Sequence, residues 1–135
     1  MKKTVFWLVI GLVVLVGAYI RLAPSDPGTW HVAPVGKADL DMKGGVLRVM
    51  ETGPEGLAKL DAIAQATPRT AVLAGSVEKG MVTYITRTKV IGFPDYTTVQ
   101  QEGDTLRIHA RLRFGRSDFG VNRNRVDGWL AALQP

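Results

Sequence analysis

The chain has 135 residues, no cysteine, a formal charge of +5 and a pI near 9.8. Once a hydrophobic leader is set aside, such a length supports one modest domain, and the missing cysteines exclude disulfides, thiolate metal sites, a cysteine nucleophile and a lipid-modified cysteine. The positive charge does not mark a nucleic-acid binder: without Lys2, Lys3 and Arg21, which flank the leader, 14 basic residues face 12 acidic ones, a balance of only +2.

The leader, Thr4 to Ile20, reads TVFWLVIGLVVLVGAYI, without a charge, between Lys2 and Lys3 on one side and Arg21 on the other. As a helix it is about 25 Å long, and snorkelling of the flanking cations closes the gap to a hydrocarbon core of about 30 Å. Its apolar residues surround the helix, so it is expected to span a bilayer or be processed rather than lie flat. Residues 1–22 therefore read as a transmembrane anchor, with Phe6, Trp7 and Tyr19 as interfacial aromatics, or as a signal segment with small residues Gly17 and Ala18 near a cleavage point. In both readings the amino terminus stays in the cytoplasm and the remainder lies outside it, in the periplasm of a Gram-negative cell.

Residues 23–29, rich in Pro, Gly and Asp, read as a linker, and residues 30–135 as the domain. Trp30 to Val35 is a candidate first strand, and Val46 to Glu51 alternates as a second. Thr52 and Glu55 have the spacing of a capping box ahead of the helical stripe Leu57, Leu60, Ile63 and Ala64, which should end before Pro68. Two hairpins follow: Thr70–Val77 with Met81–Val90 across Glu78-Lys79-Gly80, and Tyr96–Gln101 with Thr105–Phe114 across Glu102-Gly103-Asp104. After the loop Gly115 to Val121, a last helix places Val126, Trp129, Leu130 and Leu133 on one face. The fold class is α+β: an N-terminal transmembrane helix, then a mainly antiparallel sheet with two helices covering one face.

The charges concentrate late. Arg107 to Arg125 holds six arginines and a single acid, Asp118. Strand alternation puts Arg107, His109, Arg111 and Arg113 on one side and Ile108, Ala110, Leu112 and Phe114 on the core side. With Arg116 and Arg123 in and beyond the loop, and Arg87 on a neighbouring strand, this row offers guanidinium forks for a carboxylate, a phosphate or an anionic head group. The bland reading is a solvated sheet face. Gly115, Ser117, Asp118, Gly120 and Asn122 read as a structural corner, with Asn122 as a helix N-cap and Asp118 accepting loop amides or pairing with Arg123.

Catalytic signals are thin. Ser117, His109 and Asp118 are types that form triads, but Gly-Arg-Ser-Asp-Phe is no nucleophile elbow. Neither His31 nor His109 has a ligand at metal spacing, and no cofactor is expected.

The turn Gly92-Phe93-Pro94-Asp95 and the stretch Arg111-Leu-Arg113-Phe-Gly115-Arg-Ser117-Asp118-Phe-Gly120-Val-Asn122-Arg123-Asn-Arg125 resemble the bacterial and plastid family DUF1499. Its Ser-Arg-x-Gly-x-Ser-Asp-x-Gly-x-Asn-Arg spacing is kept here except that Leu112 replaces the first serine. Many members also carry Cys-Val-Ser near the start of the domain, and this chain has none, so a role tied to that cysteine does not transfer. The resemblance implies the fold and a frequently membrane-anchored or exported location, with no established activity. The function expected is thus unknown in detail: an extracytoplasmic domain binding an anionic ligand or envelope partner through the arginine-rich corner, with the membrane met through residues 4–20. A structural or assembly role in the envelope is the alternative, and an envelope hydrolase comes third.

Overall fold

The computed structural model describes residues 1–134. An apolar helix, α1 (Lys2–Leu22), leads into one short helical turn, α2 (Pro27–Trp30), and then an alternation of strands and helices: β1 (Leu40–Met42), β2 (Gly45–Glu51), α3 (Gly56–Gln65), β3 (Thr70–Ser76), β4 (Met81–Arg87), β5 (Pro94–Glu102), β6 (Thr105–Leu112) and α4 (Val121–Leu133). The six strands form one antiparallel sheet in the order β1-β2-β6-β5-β4-β3. α1 is long and apolar enough to cross a membrane, and its residues Val5 to Val16 expose their side chains apart from the small Gly11.

Both longer helices after α1 lie on one face of the sheet, as their apolar stripes require. Leu57, Leu60 and Ala64 of α3 and Val126, Trp129 and Leu130 of α4 bury against Val46, Val82, Tyr84, Val99, Leu106, Ile108 and Ala110. Trp129 packs edge-on to Tyr84 and donates its indole N–H to Thr67 Oγ1 at 2.9 Å, while the Tyr84 hydroxyl donates to Asp61. Aromatics at a core edge thus keep a polar end satisfied.

Three local expectations change. Trp30 to Val35 is not a strand: Asp26 accepts from the Gly28 amide and starts the turn α2, so the chain crosses the sheet instead of pairing with it. The polar stretch after it hides a short hairpin, with Met42 opposite Gly45 and Leu40 opposite Leu47. The capping box is not made. The Thr52 hydroxyl turns back to the Gly53 carbonyl, and the first turn of α3 is capped from β5, where Gln101 Oε1 accepts from the Leu57 amide at 2.9 Å.

Residues 23–30 lie against the sheet. Ala23 is buried, Ser25 Oγ is 2.6 Å from the Tyr96 hydroxyl, and Trp30 stacks on the Tyr96 ring with centroids 4.0 Å apart. The last turn of α1 is held as well: Arg21 donates to the carbonyls of Val90 and Ile91, Arg87 donates to that of Ile20, and Tyr19 meets Phe114 edge-on.

Candidate functional site

The five candidate arginines do not converge: four engage different sets of partners, and Arg116 engages none among the described residues. Arg107 pairs with Glu102 at 3.1 Å and donates to the Gly36 carbonyl. Arg113 donates to the Pro24 carbonyl and the Tyr96 hydroxyl and lies over the Phe114 ring. Arg123 reaches Asp41 at 3.6 Å, and Arg116 is exposed with no hydrogen bond or ion pair among the described residues. Arg87 does not continue the row, because it turns to the carbonyls of Ile20 and Gly92. Two strongly paired arginines lie outside the expected set: Arg48, bridging Asp41 and Asp127, and Arg125. They are contributed by β2 and α4, which sequence spacing alone does not bring together.

Arg111 differs from the rest. It lies on the helix-free face, under the segment that follows α2. Its guanidinium donates to Thr98 Oγ1 at 2.9 Å, to the His109 carbonyl at 3.0 Å and to the Trp30 carbonyl, and lies over the Trp30 ring. Among the described residues no carboxylate forms an ion pair with it. Burial pushes its pKa down to about 10, the direction expected of a cation that has lost water without gaining an anion.

A hydroxyl relay orders the ground around it. His31 Nδ1, Thr83 Oγ1 and Thr98 Oγ1 follow one another at 2.7 and 2.8 Å, and the Thr98 hydroxyl donates to the Trp30 carbonyl. Because Thr98 has one proton and spends it there, Thr83 must donate to Thr98, and His31 must carry its proton on Nδ1. Beside this relay, His109 is held neutral: burial, then the Arg111 charge, lowers its pKa to about 4.

Arg111 and His109 form the polar floor of a cleft of about 410 Å³ whose other walls are Thr29, Trp30, Val32, Ala33, Val35, Leu40, Met42 and Leu47. The rim is solvent-facing, with Val35 at 88% and Leu40 at 55% exposure. A mostly apolar cleft with one fixed cation is the composition of a small-ligand site. β6 supplies the cation and β1 and β2 the apolar wall, while the crossing segment closes the near side.

The corner is built as expected in outline and differently in detail. Asp118 caps α4: its carboxylate accepts from the Gly120 amide at 2.9 Å, the Asn122 amide at 3.1 Å and Asn122 Nδ2 at 2.8 Å. Asn122 is therefore not the N-cap. That position belongs to Gly120, whose φ of +80° favours glycine, and Asn122 is fully buried at the second position of the helix. Its Oδ1 accepts from Arg125, which also pairs with the buried Asp95 at 3.3 Å. Burial raises the Asp95 pKa, with Arg125 opposing. The two motif fragments, Gly92–Asp95 and Ser117–Arg125, thus meet in one chain of contacts from Asp95 through Arg125 and Asn122 to Asp118. Ser117 Oγ, 3.4 Å from the Phe119 amide, lines a different cleft from the one that holds His109, so Ser117, His109 and Asp118 form no triad.

These features define a class: a six-stranded antiparallel α+β domain led by an apolar helix, its helix-free face crossed by a segment that shapes a cleft around one unpaired arginine. The chain belongs to the family described as protein of unknown function (DUF1499), whose model matches residues 22–133. A search of curated proteins finds no match.

Proposed function

We propose that this is a membrane-anchored, extracytoplasmic binding domain that takes an apolar ligand with one negative charge into the cleft at Arg111. One observation carries the reading. Arg111 is a desolvated cation without an ion-pair partner among the described residues, set beside neutral His109 in the floor of a mostly apolar cleft. Burying an unpaired charge is costly, and a carboxylate or phosphate head placed against its free donors relieves that cost while an alkyl or aromatic body covers Val35 and Leu40. The anchor rests on the uncharged run of α1, and the orientation on Lys2 and Lys3 before it.

The test is calorimetric titration of the detergent-solubilised full chain with octanoate, against octanol as the charge-free control. Octanoate should bind and octanol should not. Leu40→Asp, at an exposed position on the rim, should abolish octanoate binding by opposing charge without unfolding the domain. Equal behaviour of octanoate and octanol, or binding unaffected by Leu40→Asp, contradicts the assignment. A second reading, an envelope assembly role, draws on the same exposed Val32, Val35 and Leu40, which would then meet a partner protein. In that case octanoate has no effect, and a cross-linker placed at position 35 captures one specific envelope component.

A further inference from the structure

We propose that the loops formed by residues 88–93 and 113–120 are a bilayer-contact surface, so that the domain rests on the membrane in a fixed orientation instead of swinging on a tether. The proposal depends on α1 being a retained anchor, and it adds which end of the domain meets lipid.

Length makes the first argument. The 21 residues of α1 give a helix of about 32 Å, and a hydrocarbon core is about 30 Å thick. Every turn is needed for the crossing, including the last one. That last turn is also the one fastened to the domain. The Arg21 guanidinium donates to the Val90 carbonyl at 2.6 Å and the Ile91 carbonyl at 3.0 Å, Arg87 returns a bond to the Ile20 carbonyl, and Ile20 itself is buried. Tyr19, Phe114 and Phe93 continue as neighbouring rings, with centroids 6.0 and 6.4 Å apart. Wherever Arg21 sits at the boundary of hydrocarbon and head groups, Val90 and Ile91 sit at the same depth.

The exposed side chains at this end make the second argument independently. Val90 is 81% exposed, Ile91 46% and Phe119 92%, the last beyond any other aromatic residue in the domain. Phe119 shares the lining of one cleft with Phe93 and Phe114, which ties the two loops into a single patch. Among them stand the exposed cations Lys89 and Arg116, with Arg21 at the root. The only acid in either loop, Asp118, is turned inward to cap α4. Large apolar tips interleaved with unpaired cations match the interface of an anionic leaflet, where hydrocarbon takes the tips and phosphates take the cations.

The absence of cysteine from the chain makes the test direct. In the full chain reconstituted into vesicles containing one-third phosphatidylglycerol, single cysteines replace Val90, Phe119, Leu12 and Lys79, each labelled with an environment-sensitive fluorophore. Lys79 sits in the β3–β4 turn, at the other end of β4 from residues 88–93. Labels at 90 and 119 should be blue-shifted and quenched several-fold more strongly by head-group-proximal nitroxide lipids than the label at 79. With lipids carrying the nitroxide deep in the acyl chain, quenching at 12, and no quenching at 90 and 119 by either kind of lipid, overturns the contact surface and leaves the anchor intact. A label at 12 that the deep nitroxide leaves unquenched removes the anchor and the proposal together.

Discussion

Replacing Asp118 tests whether the corner holds the fold or merely decorates it. Its carboxylate accepts three hydrogen bonds, from Gly120 N, Asn122 N and Asn122 Nδ2, and Asn122 is fully buried. Alanine leaves both Asn122 donors without a partner in a place water does not reach, and each such loss costs about 1 to 2 kcal/mol, giving roughly 2 to 4 kcal/mol in total. Water can replace the bond to the half-exposed Gly120 amide, so that bond contributes little to the sum. Asparagine is milder, because its oxygen can face the two Asn122 donors while its amide meets only Gly120; about 1 to 2 kcal/mol follows. For a domain of this size about 1 kcal/mol corresponds to roughly 4 °C, so the alanine variant should melt roughly 8 to 16 °C lower and the asparagine variant about half as far. Thermal unfolding of the full chain in detergent, followed by near-ultraviolet circular dichroism, measures both. A loss within 2 °C of zero for Asp118→Ala, on an assay resolving about 1 °C per quarter kcal/mol, would refute the capping argument.

Four other outcomes follow from the geometry. The His109 pKa is lowered in the folded state to about 4 from 6.5, so the unfolded chain takes up the proton first as pH falls. Stability is therefore full above pH 6.5, declines towards pH 4 by at most about 1.4 kcal/mol per unit, and His109→Gln should remove that part of the slope in urea denaturation. Arg111→Met should raise the His109 pKa, read by NMR titration, since the Arg111 charge is one of its two depressants. Gly45→Ala should cost about 2 to 3 kcal/mol in the same denaturation assay, because a Cβ there would lie 2.3 Å from the Ala110 carbonyl oxygen on the paired strand. Gln101→Ala should destabilise α3 by about 1 kcal/mol, seen as faster amide exchange at Leu57, whose N–H it caps across the sheet.

Much of the architecture is legible from local chemistry. The uncharged run before Arg21, the two hairpins across Glu78-Lys79-Gly80 and Glu102-Gly103-Asp104, and the stripes Leu57-Leu60-Ala64 and Val126-Trp129-Leu130 depend on neighbours a few residues apart, and each is found where those patterns place it. The alternation of β6 likewise separates Ile108 and Ala110, in the core, from His109 and Arg111 on the other face. Composition also singles out the arginine-rich stretch, and the family resemblance joins it to the Gly92–Asp95 turn.

The roles of those arginines were not legible, because a guanidinium's role is decided by what stands opposite it. Glu102 answers Arg107, Asp41 answers Arg123, Asp95 answers Arg125, and backbone carbonyls answer Arg113, all through sheet register or loop crossing. Arg111 was left desolvated and without an acid among the described residues, and it became the candidate site through Trp30, a residue 81 positions away in sequence. The cap of α3 tells the same story, since Thr52 and Glu55 have the right spacing while Gln101, presented by β5, takes the amide. The sequence by itself determined strands β2 to β6, helices α3 and α4, their core faces and the apolar leader, since these follow from short-range periodicity and burial. Tertiary structure alone decided which charges are neutralised and which remain, because long-range pairing energies depend on distances that no local pattern encodes.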